Sequence, residues 1–482
     1  MTGFLTNSAK LAGIEESYAR KGTHLLALSL AVAAAMIAAA AVHAPVGTAV
    51  ALGILVTVGL AWLVRRKGWM LLCYVVIPAI GAGELWTFKV GAGTLIAPSL
   101  VIVAVCGIGF FLAILFAKDH PFWQLPLLGA FAAFWIAILL SLVHSVSVLH
   151  WARGLLEAIL GSAFFAFPYL YLKDRRQLHL CLRVLIWLAA FTVIFGLLQF
   201  ALFDYFRNLF PFLYTQSEIP FIEEWQAQGR MVANWVHPSD FGSLLNIAGP
   251  IALYFYLNSK KSRLAPLSIF LLIAAGIFLT ATRTPIIAFC LSNTLLIFLM
   301  RGRRAGLYVG TGALIFALLG SQLFSVGLQR FKFSEEENLM TVQSRSLVWL
   351  EALSLFAQHP VIGIGSRNFP DLTLADPNTA THNVYLEVAA ETGAIGLLAF
   401  LYLLYRAMRI DFRHGKGSRP QELQYLIYAL FCSSLSIMFE SFTDNDLYVW
   451  QVWCLFWLIR GLSGAVGRKP GAFVENHATT IV

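Results

Sequence analysis

The sequence contains few charged residues: Asp, Glu, Lys and Arg make up 12% of 482 residues, whereas hydrophobic residues make up 59%. A soluble protein with so little charge is unable to cover its surface with polar groups. The shortage of charge therefore excludes a soluble globular protein. Runs of about 18 or more apolar residues recur along the chain, which is typical of an all-α, polytopic, integral membrane helical bundle.

Cysteine and the common catalytic motifs are also scarce or absent. The six cysteines all fall inside apolar runs without metal-ligand spacing, which indicates small buried side chains rather than a metal site. No Walker loop, HExxH, GxSxG or CxxC motif is present. We therefore expect neither a cofactor nor a bound metal.

The apolar runs predict about fourteen membrane-spanning helices of about 17–25 residues each. An even number of spans places both termini on the same side of the membrane. The predicted spans lie near residues 24–42, 45–64, 69–86, 94–117, 122–145, 151–172, 178–203, 239–258, 264–282, 285–300, 305–326, 393–410, 421–442 and 446–462.

Basic residues decide which side that is. All but nine of the 34 Lys and Arg residues fall on alternate loops and on the two tails. The positive-inside rule makes that side cytoplasmic. The formal net charge of +9 therefore marks orientation and is no sign of nucleic-acid binding.

Two of the predicted outer segments are long, and they divide the chain. We predict N-terminal spans over residues 1–203, a periplasmic segment over 204–238 and central spans over 239–326. A large periplasmic loop with short helices follows over 327–392, and C-terminal spans with a cytoplasmic tail complete the chain over 393–482. Within the large loop, Ser346–Phe356 carries leucines at helical spacing, which predicts an amphipathic helix on the membrane surface.

His382 is the leading candidate for catalysis. Thr381 is placed to be an N-cap, so we expect the imidazole in the first turn of a short helix, where the helix dipole disfavours its charged form. A neutral imidazole can accept a proton, as a general base must. Asn383 and Tyr385 add hydrogen-bonding groups nearby. An ordinary histidine at the membrane interface explains the same position, and the sequence leaves both interpretations open.

Arg283 is the second candidate. It falls at the tip of a helical hairpin, where Pro285 opens the next helix at the outer edge of the hydrocarbon. A guanidinium fixed there can form a fork of hydrogen bonds to phosphate oxygens. The alternative is a side chain that extends to the lipid headgroups.

Three further arginines and one histidine belong to the same outer region. Arg345 opens the amphipathic helix, Arg230 precedes the span near Ser239, and Arg367 follows a Gly-Ile-Gly turn. Each alone is typical of a solvated surface charge, but together with His382 they indicate an anion site. His237 is a weaker candidate for this region. The acids of Asp444-Asn445-Asp446 are able to hold a cation, but no further acid is near in sequence, so we interpret this turn as a helix cap.

Taken together, these residues resemble the O-antigen ligase and polymerase family of bacterial envelope proteins over roughly residues 225–410. The most specific part of the resemblance is the HNxYL…ETGxxG stretch. The full set of matching features is Gly229-Arg230, Thr282-Arg283, Arg345, His359-Pro360 with Gly363-Ile364-Gly365, His382-Asn383-Val384-Tyr385-Leu386, Glu391-Thr392-Gly393 and Gly396.

The resemblance implies a metal-independent, inverting glycosyltransferase of the bacterial inner membrane with its active site on the periplasmic side. Its donor would be a glycan on undecaprenyl pyrophosphate. The acceptor would be lipid A core in a ligase, a growing lipid-linked glycan in a polymerase, or a protein side chain. The resemblance also implies that Arg283 and Arg345 bind the pyrophosphate, with Arg230 less certain, and that His382 activates the acceptor hydroxyl.

Two alternatives remain beside a ligase. A polymerase needs the same donor site, although the single large outer loop favours an acceptor embedded in the same leaflet. A transporter or flippase for the lipid-linked glycan is the rival from another class. Transporters are typically built from inverted repeats with charges or broken helices near the midplane, whereas the charges of interest here cluster at the outer edge.

Overall fold

The computed structural model is helical, and one short hairpin interrupts the pattern. It describes residues 67–79, 88–90, 94–96, 125–203, 219–235, 237–259, 263–305, 307, 309–311, 335–373, 380–415 and 420–468. The predicted spans at 24–42 and 45–64, most of 94–117 and most of 305–326 lie outside these residues.

Within the described ranges, the helices fall where the apolar runs predicted them. Several extend a few residues beyond the predicted spans because the polar ends of a helix carry no hydropathy signal. Their bounds are α1 Lys67–Ala79, α2 Leu128–Ser141, α3 Val148–Tyr171, α4 Arg175–Ala201, α5 Ile219–Ala227, α6 Pro238–Asn258, α7 Leu264–Leu279, α8 Arg283–Arg301, α9 Glu335–Gln358, α10 Phe369–Leu372, α11 Val384–Gly415, α12 Gln421–Glu440 and α13 Trp450–Arg468.

Five of these helices are long and apolar enough to cross a membrane: α3, α4, α8, α12 and residues Val384–Ile410 of α11. Two shorter apolar helices occupy Leu128–His144 and Leu264–Leu279. These lengths confirm an all-α membrane protein. The total of fourteen spans stays a prediction.

A small antiparallel hairpin, formed by β1 Phe88–Val90 and β2 Thr94–Ile96, was not expected. Its second strand begins where a membrane span was predicted to start near residue 94, so that start was wrong. Strands of three residues do not form a domain of their own.

Two helices form the centre of the bundle. Every residue of α13 from Trp450 to Val466 is buried, and α6 is buried over almost its whole length. Helix α13 packs mainly against α3, whereas α6 packs against α7, α8 and α12. Helix α12 contacts both α6 and α8, and the turn that follows α12 lies at the N-terminal ends of these two helices.

Contacts between the ends of helices join segments that were predicted to lie on the same side of the membrane. At the predicted inner end, Arg175 pairs with Glu422, and Arg468 Nη2 donates to the Leu170 carbonyl at 2.9 Å. At the predicted outer end, His150 Nδ1 lies 2.6 Å from Asp371 Oδ2. Which side is cytoplasmic stays a prediction.

Candidate active site

The turn after α12 is the meeting point of the site. The N–H groups of Thr443 and Asp444 both donate to the carbonyl oxygen of Glu440, at 2.9 and 3.0 Å, and this closes the turn. Four distant segments reach these two residues: the start of α6, the tip between α7 and α8, the middle of α9 and the residues just before α11. The sequence interpretation of this turn as a simple helix cap missed its larger role.

His382 contacts this turn directly. Its Nδ1 lies 3.2 Å from Asp444 Oδ1, and the side chains are 33% and 13% exposed, respectively. Burial alone would raise the pKa of Asp444, but the hydrogen bond from His382 and a further one from Ser239 Oγ hold that pKa well below its usual range. The carboxylate is therefore ionised at neutral pH, and the proton of the contact resides on His382 Nδ1.

The backbone at His382 is strained, and contacts of the preceding residue hold it. Its φ of 50° lies in the left-handed region, which costs free energy for a non-glycine residue. Trp349 Nε1 donates to the carbonyl of Thr381 at 2.8 Å, and Thr381 Oγ1 donates to Glu387 Oε2 at 2.8 Å. These contacts fix the direction of the imidazole before any substrate is bound.

The predicted N-cap at Thr381 was wrong. Helix α11 begins at Val384, and Asn383 caps it, because Asn383 Oδ1 accepts the N–H of Leu386 at 3.1 Å. The hydroxyl of Thr381 is engaged by Glu387 instead. His382 therefore precedes the helix, and Asp444 rather than the helix dipole sets its tautomer.

Tyr385 joins α11 to the end of α12. Its hydroxyl donates to the carbonyl of Met438 at 2.9 Å, and its ring lies 4.4 Å from the ring of Phe442. Through both contacts Tyr385 packs against residues that directly precede the Thr443–Asp444 turn.

Arg345 and the hairpin tip that carries Arg283 reach Thr443, the other residue of the turn. Arg345 Nη1 donates to the Thr443 carbonyl at 3.2 Å, and Thr443 Oγ1 donates at 2.7 Å to the hydroxyl of Thr284, the residue after Arg283. The positive charges of Arg345 and Arg283 repel each other. This repulsion occurs beside Thr443, the residue that precedes Asp444, the partner of His382.

Arg230 holds the tip that carries Arg283. Its Nε donates to the Thr280 carbonyl at 3.2 Å and its Nη2 to Thr282 Oγ1 at 2.8 Å. The guanidinium also lies over the Trp225 ring at 4.4 Å. With these contacts Arg230 fixes the conformation of the hairpin tip.

His237 is the N-cap of α6 and belongs to the same cluster. Its Nδ1 accepts the N–H of Ser239 at 3.3 Å, so in the neutral ring the proton resides on Nε2. Burial lowers the pKa of His237 to about 4; Asp444 opposes this shift, whereas Arg230, His382 and Arg345 add to it. The ring is therefore neutral at pH 7 and offers an N–H donor.

Arg367 lies in a different environment. It forms a buried ion pair with Glu157 of α3, lies 4.3 Å over the Tyr448 ring and also donates to the Tyr448 carbonyl. A cavity beside this pair is lined by aromatic side chains that include Phe134, Phe400 and Trp453. The guanidinium of Arg367 thus joins α3 to the segment after α12.

Asp444, Thr443 and Trp349 are the residues that sequence reasoning missed. The contact between His382 and Asp444 joins positions 62 residues apart, and that between Arg345 and Thr443 joins positions 98 apart. The only available signal was the placement of Asp444 in an outer loop, which was considered and interpreted as a cap.

Comparison with known proteins finds one family over part of the chain. A search of curated proteins finds no match. Residues 268–401, however, match the family model described as O-antigen ligase, a stretch that includes Arg283, Arg345 and His382. This match supports the resemblance to the O-antigen ligase and polymerase family seen in the sequence.

Proposed function

We propose that the protein is an O-antigen ligase-type glycosyltransferase that moves a glycan from undecaprenyl pyrophosphate to a hydroxyl of lipid A core at the periplasmic face of the bacterial inner membrane. One observation carries the proposal: His382, Arg345 and the hairpin tip of Arg283 all converge on Thr443 and Asp444. This convergence supports a site in which a general base and two guanidinium groups act together, as transfer from a pyrophosphate requires.

His382 is the proposed general base. Because the Nδ1–H group donates to ionised Asp444, the Nε2 lone pair is available to accept the proton of the acceptor hydroxyl. The hydroxyl oxygen forms a bond to the anomeric carbon while the bond from that carbon to the pyrophosphate oxygen breaks. A well-placed base contributes about 10²–10⁴-fold to such a step. Attack opposite the leaving group inverts the anomeric configuration.

Arg283 and Arg345 are the proposed pyrophosphate ligands. In the absence of an anion their charges repel, so a pyrophosphate between them replaces a repulsion with two charge-assisted interactions. Negative charge grows on the pyrophosphate as the sugar leaves, and fixed cations stabilise that charge best in a site shielded from water. Arg230 would act indirectly, because it holds Thr280 and Thr282.

His237 is the proposed neutral donor beside these cations. Its Nε2–H takes no part in the helix cap, in which Nδ1 accepts the N–H of Ser239. A neutral imidazole with a low pKa donates a hydrogen bond to an oxygen without competing with His382 as a base. Asn383 and Tyr385 would support the site from the start of α11.

Helix α9 supports an acceptor held in the membrane. Leu347, Leu350 and Leu353 are 66%, 62% and 47% exposed, whereas Val348 and Ala352 on the other face are buried. Such an apolar face is suited to lying on the outer leaflet, with Arg345 on the same helix at the site. An acceptor anchored in that leaflet, such as lipid A core, fits this face. The lipid-linked acceptor of a polymerase is anchored there as well, so the cellular experiment below separates the two.

The test is transfer by the purified protein from a glycan on undecaprenyl pyrophosphate to lipid A core in detergent. We expect Arg283→Ala, Arg345→Ala and His382→Ala each to reduce transfer by about 10²-fold or more. Arg409→Ala is the matched control, because its guanidinium lies over the Tyr405 ring on the predicted cytoplasmic end of α11. Transfer by the triple variant at the wild-type rate would refute the proposal.

A cellular experiment separates ligase from polymerase and transporter. In a strain without the protein, core-only lipid A beside full-length lipid-linked chains indicates a ligase. Single repeat units that stay on the carrier indicate a polymerase instead. Accumulation of the lipid-linked glycan on the cytoplasmic side indicates a transporter.

A further inference from the structure

Two buried carboxyl groups lie on either side of one serine next to the proposed site. Ser243 Oγ of α6 is 2.9 Å from Glu440 Oε2 and 2.6 Å from Asp446 Oδ1. All three residues are buried, with exposures of 0–1%. The other oxygen of Glu440 accepts a hydrogen bond from Asn246 Nδ2.

The protons of this arrangement can be counted. A serine hydroxyl carries one hydrogen and can donate it to only one acceptor at a time. The second short contact therefore needs a hydrogen on a carboxyl group, which donates it to the serine oxygen. If both carboxyl groups were ionised, two buried negative charges would share a single donor, which is costly in a low-dielectric interior.

We propose that Glu440 and Asp446 form a proton-sharing carboxyl pair, bridged by Ser243, that holds one proton at neutral pH and positions the turn carrying Asp444. Glu440 precedes the turn and its carbonyl closes it, and Asp446 follows Asp444 by two residues. The pair thus holds both ends of the segment that orients His382. Glu440 and Asp446 are positioning residues in this proposal, which for its activity arm rests on the proposed function.

Removal of the shared proton disturbs the turn. Burial, and then the negative charge of Asp444, raise the pKa of Asp446 well above its usual range. The other ionisable groups around this turn include His237 before α6, His382 before α11, Glu387 on α11, Arg345 on α9 and Arg283 at the hairpin tip. As pH rises and the proton leaves, Glu440 and Asp446 repel each other, and Asp444 loses its alignment with His382.

The activity arm compares pH profiles of glycan transfer. In Glu440→Gln, the new amide nitrogen donates to Ser243 and its oxygen accepts from Asn246, so the variant mimics the protonated state at every pH. Asp446→Asn does the same from the other side. We expect both variants to stay active. The pH at which activity falls on the alkaline limb of the profile should be higher than in the wild type by about one pH unit or more. Glu422→Gln, a glutamate paired with Arg175 at the opposite end of α12, is the control and should leave the limb unchanged.

The second arm measures the proton itself and does not depend on catalysis. Infrared spectra of the detergent-solubilised protein at neutral pH should contain a protonated-carboxyl C=O band that Glu440→Gln or Asp446→Asn removes and Glu422→Gln retains. Absence of that band, or an alkaline limb unmoved in both amide variants, overturns the proposal. A band that behaves as expected in a protein without transfer activity supports the pair and refutes only the glycosyltransferase function.

Discussion

Gly363 and Gly393 lie backbone to backbone. A Cβ on Gly363 would lie 2.3 Å from the carbonyl carbon of Glu391, and one on Gly393 would lie 2.3 Å from that of Val361. Across this joint, Ile364 N–H donates to the Ala390 carbonyl, and Ala394 N–H donates to the Pro360 carbonyl. The two glycine-containing motifs are thus one structural element, which interrupts α11 just after the segment that carries His382 and Glu387.

Substitution of Gly393 by alanine should destabilise the protein. Its φ of 66° is strained for any residue with a Cβ, by about 1–3 kcal/mol, and the contact with Val361 adds a steric clash. We expect a lower apparent Tm for Gly393→Ala in a thermal scan of the detergent-solubilised protein. Gly129→Ala is the control, because a Cβ there meets no atom within 4 Å, and it should be neutral or stabilising. Equal Tm changes in the two variants would contradict this account of the joint.

Substitution of Asp444 by asparagine should impair catalysis more than donor binding. The amide can donate to His382 Nδ1, which favours the tautomer whose Nε2 carries a proton and is unable to act as a base. We expect kcat to fall by about 10²–10⁴-fold, with a much smaller change in donor KM. Asp371→Asn removes the other carboxylate that contacts a histidine, His150, and should leave kcat near the wild-type value. A normal kcat in Asp444→Asn would exclude the proposed base.

Two substitutions at His237 separate its cap from its donor. Asparagine and serine are both good N-caps, but only asparagine also presents an amide N–H, on a side chain shorter than the imidazole. We expect His237→Ser to raise donor KM by about tenfold or more, as for the loss of one hydrogen bond to a charged group, and His237→Asn to raise it less. The same KM in both variants would show that His237 is only a cap.

The low pKa of His237 also predicts a pH dependence of stability. The pKa is about 4 in the folded protein against 6.5 for the free side chain, so the unfolded chain binds more protons between these values. Stability should therefore be fully present above pH 6.5 and decrease as pH falls toward 4. We expect His237→Asn to flatten the dependence of Tm on pH in this window. An unchanged slope would indicate that the histidine is not held neutral.

Thr282→Val tests whether Arg230 acts through the hairpin tip. Valine has nearly the shape of threonine but lacks the Oγ1 that accepts from Arg230 Nη2. Because the tip then loses the hydrogen bond from Arg230 Nη2, we expect donor KM to rise several-fold while kcat changes little. Thr192→Val is a control, because Thr192 bonds only to the Leu188 carbonyl within its own helix. If Arg230→Lys raises donor KM and Thr282→Val does not, Arg230 contacts the donor itself.

The sequence by itself determined where most of the apolar helices lie, and it predicts which loops share a face and which residue types stand in the outer loops. Each of these properties depends on a short segment, because hydrophobicity, charge and helix-breaking residues decide locally how a segment partitions between water and hydrocarbon. His382, Arg283 and Arg345 could be named from such patterns together with the family resemblance.

Only the tertiary structure decided which of these residues meet. The partner of His382 is 62 positions away on the turn after α12, and the partner of Arg367 is 210 positions away on α3. The choice of Asn383 over Thr381 as the cap likewise depends on Glu387 and Trp349, which engage Thr381. Such pairings are set by how the helices pack, since packing fixes the distance and direction between side chains that a local pattern leaves undetermined.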